Sequence, residues 1–199
     1  MISDVFELLP TLFLILITVF VIITIMFVYR QYATMKRLLE AQALKRGGTV
    51  VRTYTARQLK FEYHDYPVTV SARQGSRYQP PETKVHIDLH KPVPSTVSIS
   101  HESVASRIGK AFGGQDIQIG MDEFDSTFRV KADNENYVRT ILNLTLQNKL
   151  LELAHERPHI LLKGQMLDVS VPRLLKTDEQ YDQLIDLATT LIDQLQEPR

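Results

Sequence analysis

The run KVHIDLH, residues 84–90, alternates without a break: Val85, Ile87 and Leu89 face one way, and Lys84, His86, Asp88 and His90 face the other. A period of two is a strand, and an apolar set opposed to a polar set means that the sheet buries one face only. One-sided burial is the habit of antiparallel sheets, because parallel sheets are covered on both faces and read as continuous apolar runs. The same period recurs on either side. TVVRTYT (49–55), LKFEYHD (59–65), PVTVSAR (67–73) and STVSIS (95–100) are rich in β-branched or aromatic residues and separated by polar, Gly or Pro breaks, which with 84–90 gives about five strands. Their connections are shorter than the dozen or so residues a parallel crossover needs. Between the third and fourth, residues 74–83 form an irregular loop, since Pro80 and Pro81 remove backbone donors.

Further along, helical spacing returns. Ser100 can cap a short helix carrying Val104, Ile108, Ala111 and Phe112, which Gly113 and Gly114 end. The glycines do not make a phosphate loop, because no Gly-Lys-Ser/Thr follows and donors are needed at a helix start. Asp133 or Asn134 can cap a long helix through about Ala154, with Val138, Ile141, Leu142, Leu146, Leu150 and Leu153 on its apolar face. Pro158 ends it. HILLKG and MLDVSV then predict a hairpin around Lys163, Gly164 and Gln165. A last helix starts at Thr177, paired with Gln180 in a capping box, and buries Tyr181, Leu184, Ile185, Ala188, Leu191, Ile192 and Leu195. This part of the chain is α+β, an antiparallel sheet with amphipathic helices packed on it.

Its 199 residues suffice for one such domain once the N-terminal segment is set aside. Residues 8–29 read LLPTLFLILITVFVIITIMFVY without a charge, and about 20 apolar residues cover the ~30 Å hydrocarbon core. A signal peptide would begin with basic residues and end at a small-x-small site, and neither is present. An apolar surface all the way round and of this length is unusual for a core helix inside a domain of about 150 residues. Asp4 and Glu7 precede the span, whereas Arg30, Lys36, Arg37, Lys45 and Arg46 follow it. Basic flanks stay on the cytoplasmic side. The expected plan is an external N-terminus (1–7), a transmembrane helix (8–29), a juxtamembrane helix with a hinge at Gly47 and Gly48 (30–48), and a cytoplasmic α+β domain (49–199), the whole at the inner membrane. The chain has no cysteine, in keeping with a reducing compartment.

The five basic residues can also attract anionic headgroups. Elsewhere the charges nearly cancel, with no basic stripe interleaved with aromatics, which excludes nucleic acid as a partner. Thr11 and Thr18, seven apart on one helix face, offer a packing or hydrogen-bonding edge to a second membrane helix.

The densest acidic stretch is QDIQIGMDEFDSTFRV, residues 115–130. Ile117 and Ile119 alternate as a strand, Phe128 and Val130 do so again, and the residues from Gly120 to Asp125 turn between them. Asp116, Asp122, Glu123 and Asp125 lack the order of a calcium loop, and one turn does not hold two carboxylates across a cleft as glycoside hydrolysis requires. Gly120, Phe124, Asp125 and Phe128 therefore read as a structural turn. His86 and His90, four apart on a strand, lie about 13 Å apart, too far for one metal. His155 and His159 flank Pro158 and would favour the carbonyls of a helix end. No G-x-S-x-G elbow occurs. Sequence assigns no catalytic, cofactor-binding or metal-ligating residue.

The region from Val104 to Leu195 resembles a family of uncharacterised single-pass membrane-anchored bacterial proteins with a Gly-Asp-x-x-Phe-Asp-x-x-Phe-x-Val core. Gly120, Phe124, Asp125, Phe128 and Val130 match it, and Met121 stands in place of the first Asp. The resemblance implies a fold module and a membrane location, and no activity. The expected function is thus a membrane-anchored binding or scaffold module with a protein partner. An accessory subunit held through its membrane helix is the first alternative, and an enzyme of unknown class the second.

Overall fold

The computed structural model describes residues 2–53, 56–102 and 116–196, with side chains of the first helix from Leu12 onward. Two compact units are present, Met1–Arg37 and Leu38–Arg199. Helix α1, Ile2–Arg46, accounts for the first and contributes its last turns to the second. Between Leu12 and Tyr32 its large apolar side chains are 40% to 73% exposed. An 18-residue stretch of it has a mean hydropathy of 3.0, so the helix is long and apolar enough to cross a membrane.

The second unit is one nine-stranded antiparallel sheet among the described residues, in the order β1-β2-β3-β4-β9-β8-β5-β7-β6. Its strands are β1 Thr49–Arg52, β2 Arg57–Tyr63, β3 Tyr66–Arg73, β4 Glu82–Asp88, β5 Val97–His101, β6 Asp116–Ile117, β7 Phe128–Ala132, β8 His159–Lys163 and β9 Met166–Val171. The five early strands form as their alternation predicts. Strands β4 and β5 are not neighbours, however, because the β8–β9 hairpin lies between them. Residues 89–96 therefore run as a strap across that hairpin's turn, where Leu89 N–H donates to Gln165 O and Val93 N–H to Gly164 O, each at 2.8 Å. Eight extended residues reach about 26 Å, ample for the roughly 14 Å between the first and last of four strands.

Ser100, expected as a helix cap, lies within a strand. It pairs within β5, buried opposite His159 and Arg129. The rest of that expected helix, from Val104 to Gly114, falls outside the described residues.

One sheet face is apolar. Val68 and Val70, Val85 and Ile87, Leu167 and Val169, Ile160 and Leu162, and Ile99 and Val130 are all buried, and helices pack over them. The helices after β6 are α2 Asp122–Thr127, α3 Glu135–Ile141, α4 Leu144–Glu152 and α5 Asp178–Gln196. The single long helix expected from Asn134 is two. Asn134 caps α3, accepting from Tyr137 N–H, and Asn143 starts afresh as the cap of α4, accepting from Leu146 N–H. Asn143 also donates to Gln194 Oε1 on α5 at 2.6 Å, so the break lets two short helices lie against the last. Helix α5 begins with the expected capping box, Gln180 N–H to Thr177 Oγ1 and Thr177 N–H to Gln180 Oε1. It buries Leu184, Ile185, Leu187, Ala188, Leu191 and Ile192, each large one contributing about 1.5–3 kcal/mol.

Gly47 and Gly48 are a stop, and the globular unit starts ten residues earlier than they do. Gly47 has φ +65° and Gly48 N–H returns to Ala43 O at 2.9 Å, the six-to-one bond of a left-handed helix terminus. A Cβ on Gly48 would lie 2.6 Å from the Lys60 carbonyl oxygen, so the chain passes tightly onto β2. Ahead of it Leu39, Gln42 and Ala43 are buried. Gln42 Nε2 donates to Asp178 Oδ1 at 2.7 Å and to Asp182 Oδ1 at 2.9 Å. Lys45, hydrogen-bonded to Asp178 as well, donates to Asp182 Oδ2 at 2.6 Å, and Arg46 donates to Asp182 Oδ1 at 3.0 Å.

Burial by itself would raise the Asp182 pKa, but donation from Lys45 and Gln42, with the charges of Lys45 and Arg46, outweighs it and brings the carboxyl below its usual value. A depressed carboxyl stabilises the fold above its unfolded pKa and ceases to do so as pH falls through the folded one. A fragment beginning at Gly48 loses the buried Leu39 and this ionic joint. Relative to a fragment beginning at Leu38, it is expected to be about 3–5 kcal/mol less stable in urea unfolding at pH 7. The difference should narrow in titrations carried below the ordinary carboxylate pKa.

Candidate functional site

Strand pairing places polar residues of the second sheet face in transverse rows. Thr69, His86, Asp168, Leu161, Ser98 and Lys131 are successive cross-strand partners. Ser71, Lys84, Ser170, His159, Ser100 and Arg129 form the next row. Near the centre, His86 Nδ1 lies 2.6 Å from Asp168 Oδ1 and His86 Nε2 lies 3.2 Å from Asp88 Oδ1, while Lys84 Nζ reaches Asp168 Oδ2 at 3.2 Å. These opposite charges satisfy one another as cross-strand pairs do. No nucleophile sits within reach of this imidazole in the contacts of the described residues.

His159 does not cap a helix. It opens β8, where burial lowers its pKa against the opposing charges of Asp168 and Glu82, so it is neutral at pH 7, with Ser98 Oγ at 3.4 Å from Nε2. His155 lies in a 3-10 turn, Ala154–Glu156, 3.2 Å from the buried Glu156. His90 lies beyond the end of β4 and does not share its face with His86.

The acidic corner has its own internal logic. The segment expected as a plain turn contains the helical turn α2, Asp122–Thr127. Asp125 reaches back from it, Oδ1 accepting from Ile119 N–H and Oδ2 from Gly120 N–H, both at 2.8 Å. Both carboxylate oxygens are thereby used on the backbone of the preceding segment. Phe124 and Phe128 are buried with ring centroids 5.2 Å apart, whereas Asp122 and Glu123 are exposed at the start of α2. Among the described residues no group of three or more His, Asp or Glu side chains is arranged to hold a metal ion.

The basic set divides. Arg30, Lys36 and Arg37 are exposed on α1, while Lys45 and Arg46, expected at the lipid surface, are ion-paired to α5 instead. Thr18 Oγ1 donates to Leu14 O at 2.8 Å within its own helix, so its hydroxyl needs no second helix. The side chain of Thr11 lies outside the described residues.

Sequence reasoning missed a groove that the described residues form. An open groove of about 680 Å³ is lined by Tyr66, residues 89–94, Tyr137 of α3, and Leu195 and Gln196 of α5, a size usual for small-molecule sites. Its apolar surface comes from Leu89, Val93, Tyr137 and Leu195, and its walls include Pro92 and Pro94. Tyr66 stacks on His90, centroids 4.4 Å apart and planes at 28°. The strap carrying the wall is fixed by its bonds to the β8–β9 turn and by Gln165 Nε2 donating to His90 O at 3.4 Å. Among the described residues no carboxylate lines it. The signal in sequence was KPVP, residues 91–94, a rigid and apolar connection where a hairpin turn would have been polar.

No family model matches the chain, and no curated protein matches it. Among solved structures, the fold is similar to the crystal structure of the mycobacterial trehalose monomycolate transport factor A, with a TM-score of 0.55 over 81% of this chain and 94% of that one, at 12% identity. At that identity the likeness is one of fold.

Phe128→Ala is expected to cost about 3–5 kcal/mol, the loss of a buried aromatic. Asp125→Asn, whose single side-chain oxygen leaves one of the two backbone amides without an acceptor, should cost about 1–2 kcal/mol. Asp122→Asn and Glu123→Gln should stay within about 0.5 kcal/mol. Thermal unfolding with and without added Mg and Ca checks the order; an ion-dependent stabilisation lost in Asp122→Asn would make the corner a cation site.

Proposed function

We propose that this chain is a membrane-anchored accessory module, whose first unit spans the bilayer and whose second unit engages a protein partner in the cytoplasm. The carrying observation is the exposed apolar surface of α1 from Leu12 to Tyr32. A surface of that extent is untenable in water and is matched by a hydrocarbon core. Arg30, Lys36, Arg37, Lys45 and Arg46 on its C-terminal side argue for the N-terminus outside and the sheet unit inside.

The fold likeness to a protein named as a transport factor supports an accessory role over a catalytic one. Kinship with membrane-anchored bacterial proteins that carry the Gly-x-x-x-Phe-Asp-x-x-Phe-x-Val core is part of the same proposal, resting on Gly120, Phe124, Asp125, Phe128 and Val130. The absence of cysteine makes the topology directly testable. With Ser3→Cys and Gln196→Cys made separately, an impermeant maleimide on intact cells should label the first and not the second. Labelling at position 196 would overturn the orientation. For the partner, crosslinking in native membranes should capture the same proteins with the full chain and not with a chain lacking residues 38–199. Capture that survives this deletion would assign the contact to the membrane helix.

A further inference from the structure

We infer that the groove between the 89–94 strap, Tyr66 and the end of α5 is a binding site for a single-chain amphiphile with a carboxylate head, such as a free fatty acid. The groove offers two chemistries in sequence. Val93 and Leu195, part-exposed, and the outer edges of the nearly buried Leu89 and Tyr137 give the groove apolar surface, and burying hydrocarbon against such surface is favourable. At the rim stand Lys91 and His90, both exposed. Among the described residues no carboxylate is ion-paired with Lys91, in contrast to Lys45, Lys84 and Lys149, which each hold an aspartate. A groove whose rim carries Lys91 and whose lining among the described residues has no carboxylate favours an anionic head and disfavours a cationic one.

The shape is preformed. Two prolines stiffen the strap, its backbone is tied to the β8–β9 turn at both Leu89 and Val93, and Tyr66 holds the His90 ring by stacking. Little ordering remains to oppose binding. The site stands on these residues alone and does not depend on the orientation of α1.

The test uses the full chain in phosphatidylcholine nanodiscs with a photoreactive diazirine fatty acid, adducts being mapped by peptide mass spectrometry. A diazirine fatty alcohol of equal length serves as the uncharged control. Saturable adducts on Tyr66 and residues 89–94 are expected, displaced by oleate and not by vesicles containing phosphatidylglycerol. Lys91→Met should reduce labelling by the acid roughly two- to fivefold, the worth of a surface charge pair, and leave labelling by the alcohol unchanged. Val93→Glu, which puts a carboxylate in the groove, should abolish both. If that variant fails to fold, the exposed Lys91→Met decides alone.

Equal groove labelling by acid and alcohol, unaffected by Lys91→Met, would reduce the site to an apolar patch and overturn the inference. Displacement by phosphatidylglycerol vesicles would make it a membrane-surface contact and overturn it also. Adducts confined to residues 12–32 would overturn it while leaving α1 in the bilayer, so its failure is distinct from failure of the anchor.

Discussion

The sheet unit depends on the insertion of the β8–β9 hairpin between β4 and β5. Each inserted strand must satisfy two neighbours, β9 with β4 over six residue pairs and β8 with β5 over four, so the hairpin joins what would otherwise be two separate sheets. Its apolar residues Ile160, Leu162, Leu167 and Val169 are buried because the strands are central and covered by helices. Since β5 is made long before β8 and β9, the N-terminal strands cannot complete their ladder until the C-terminal third of the chain has folded. The pairings close loops from 59 residues (Ser100 to His159) to 88 residues (Thr83 to Val171), a closure entropy that slows folding more than it lowers stability. The connection from β4 to β5 then has nowhere to go but across the hairpin's turn, and it is this detour that makes the wall of the groove.

What sequence could and could not reveal divides along the same line. Alternation in 84–90 reports which residues face the core, and Val85 and Ile87 do. Alternation carries no information about which strand lies alongside, and the short connection from β4 to β5 suggested adjacency. The true partner of Val85 is Val169, 84 residues away, and no local signal encodes that. The long helix fails for a different reason. Its apolar positions keep helical spacing through Leu142 and Leu146, so periodicity does not register the break. Asn143, able to cap the amide three residues on, is the only mark of it. By contrast Thr177 and Gln180 were legible as a capping box because both halves of that motif are local. Of the groove only the stiff KPVP wall left a mark in sequence, since Tyr66, Val93, Tyr137 and Leu195 converge only through the topology.

The acidic corner shows how a polar cluster can be explained by the backbone it serves. Gly120, with φ +105°, turns the chain so that the amides of Ile119 and Gly120 both point toward α2, and only a short carboxylate five or six residues on can accept from both. Phe124 and Phe128 then plug the space beneath. The residue types of this stretch follow from that geometry without any ligand.

The joint between α1 and α5 bears on the proposed orientation in a way that separates synthesis from the folded state. The positive-inside rule acts while the chain is being inserted, before α5 exists, and carboxylates contribute little to it. Lys45 and Arg46 therefore count with Arg30, Lys36 and Arg37 when the helix chooses its direction, although in the folded protein both are held by Asp178 and Asp182. Attraction to anionic headgroups is a property of the folded state, so it falls to the basic residues ahead of Leu38. In the proposed orientation the same side chains serve insertion first and domain packing afterwards. Gln42 reinforces the second role: fully buried and bonded to both aspartates, it fixes where they sit before any cation arrives, and it holds the end of the helix on the globular unit by contacts that salt screens far less than it screens exposed ion pairs.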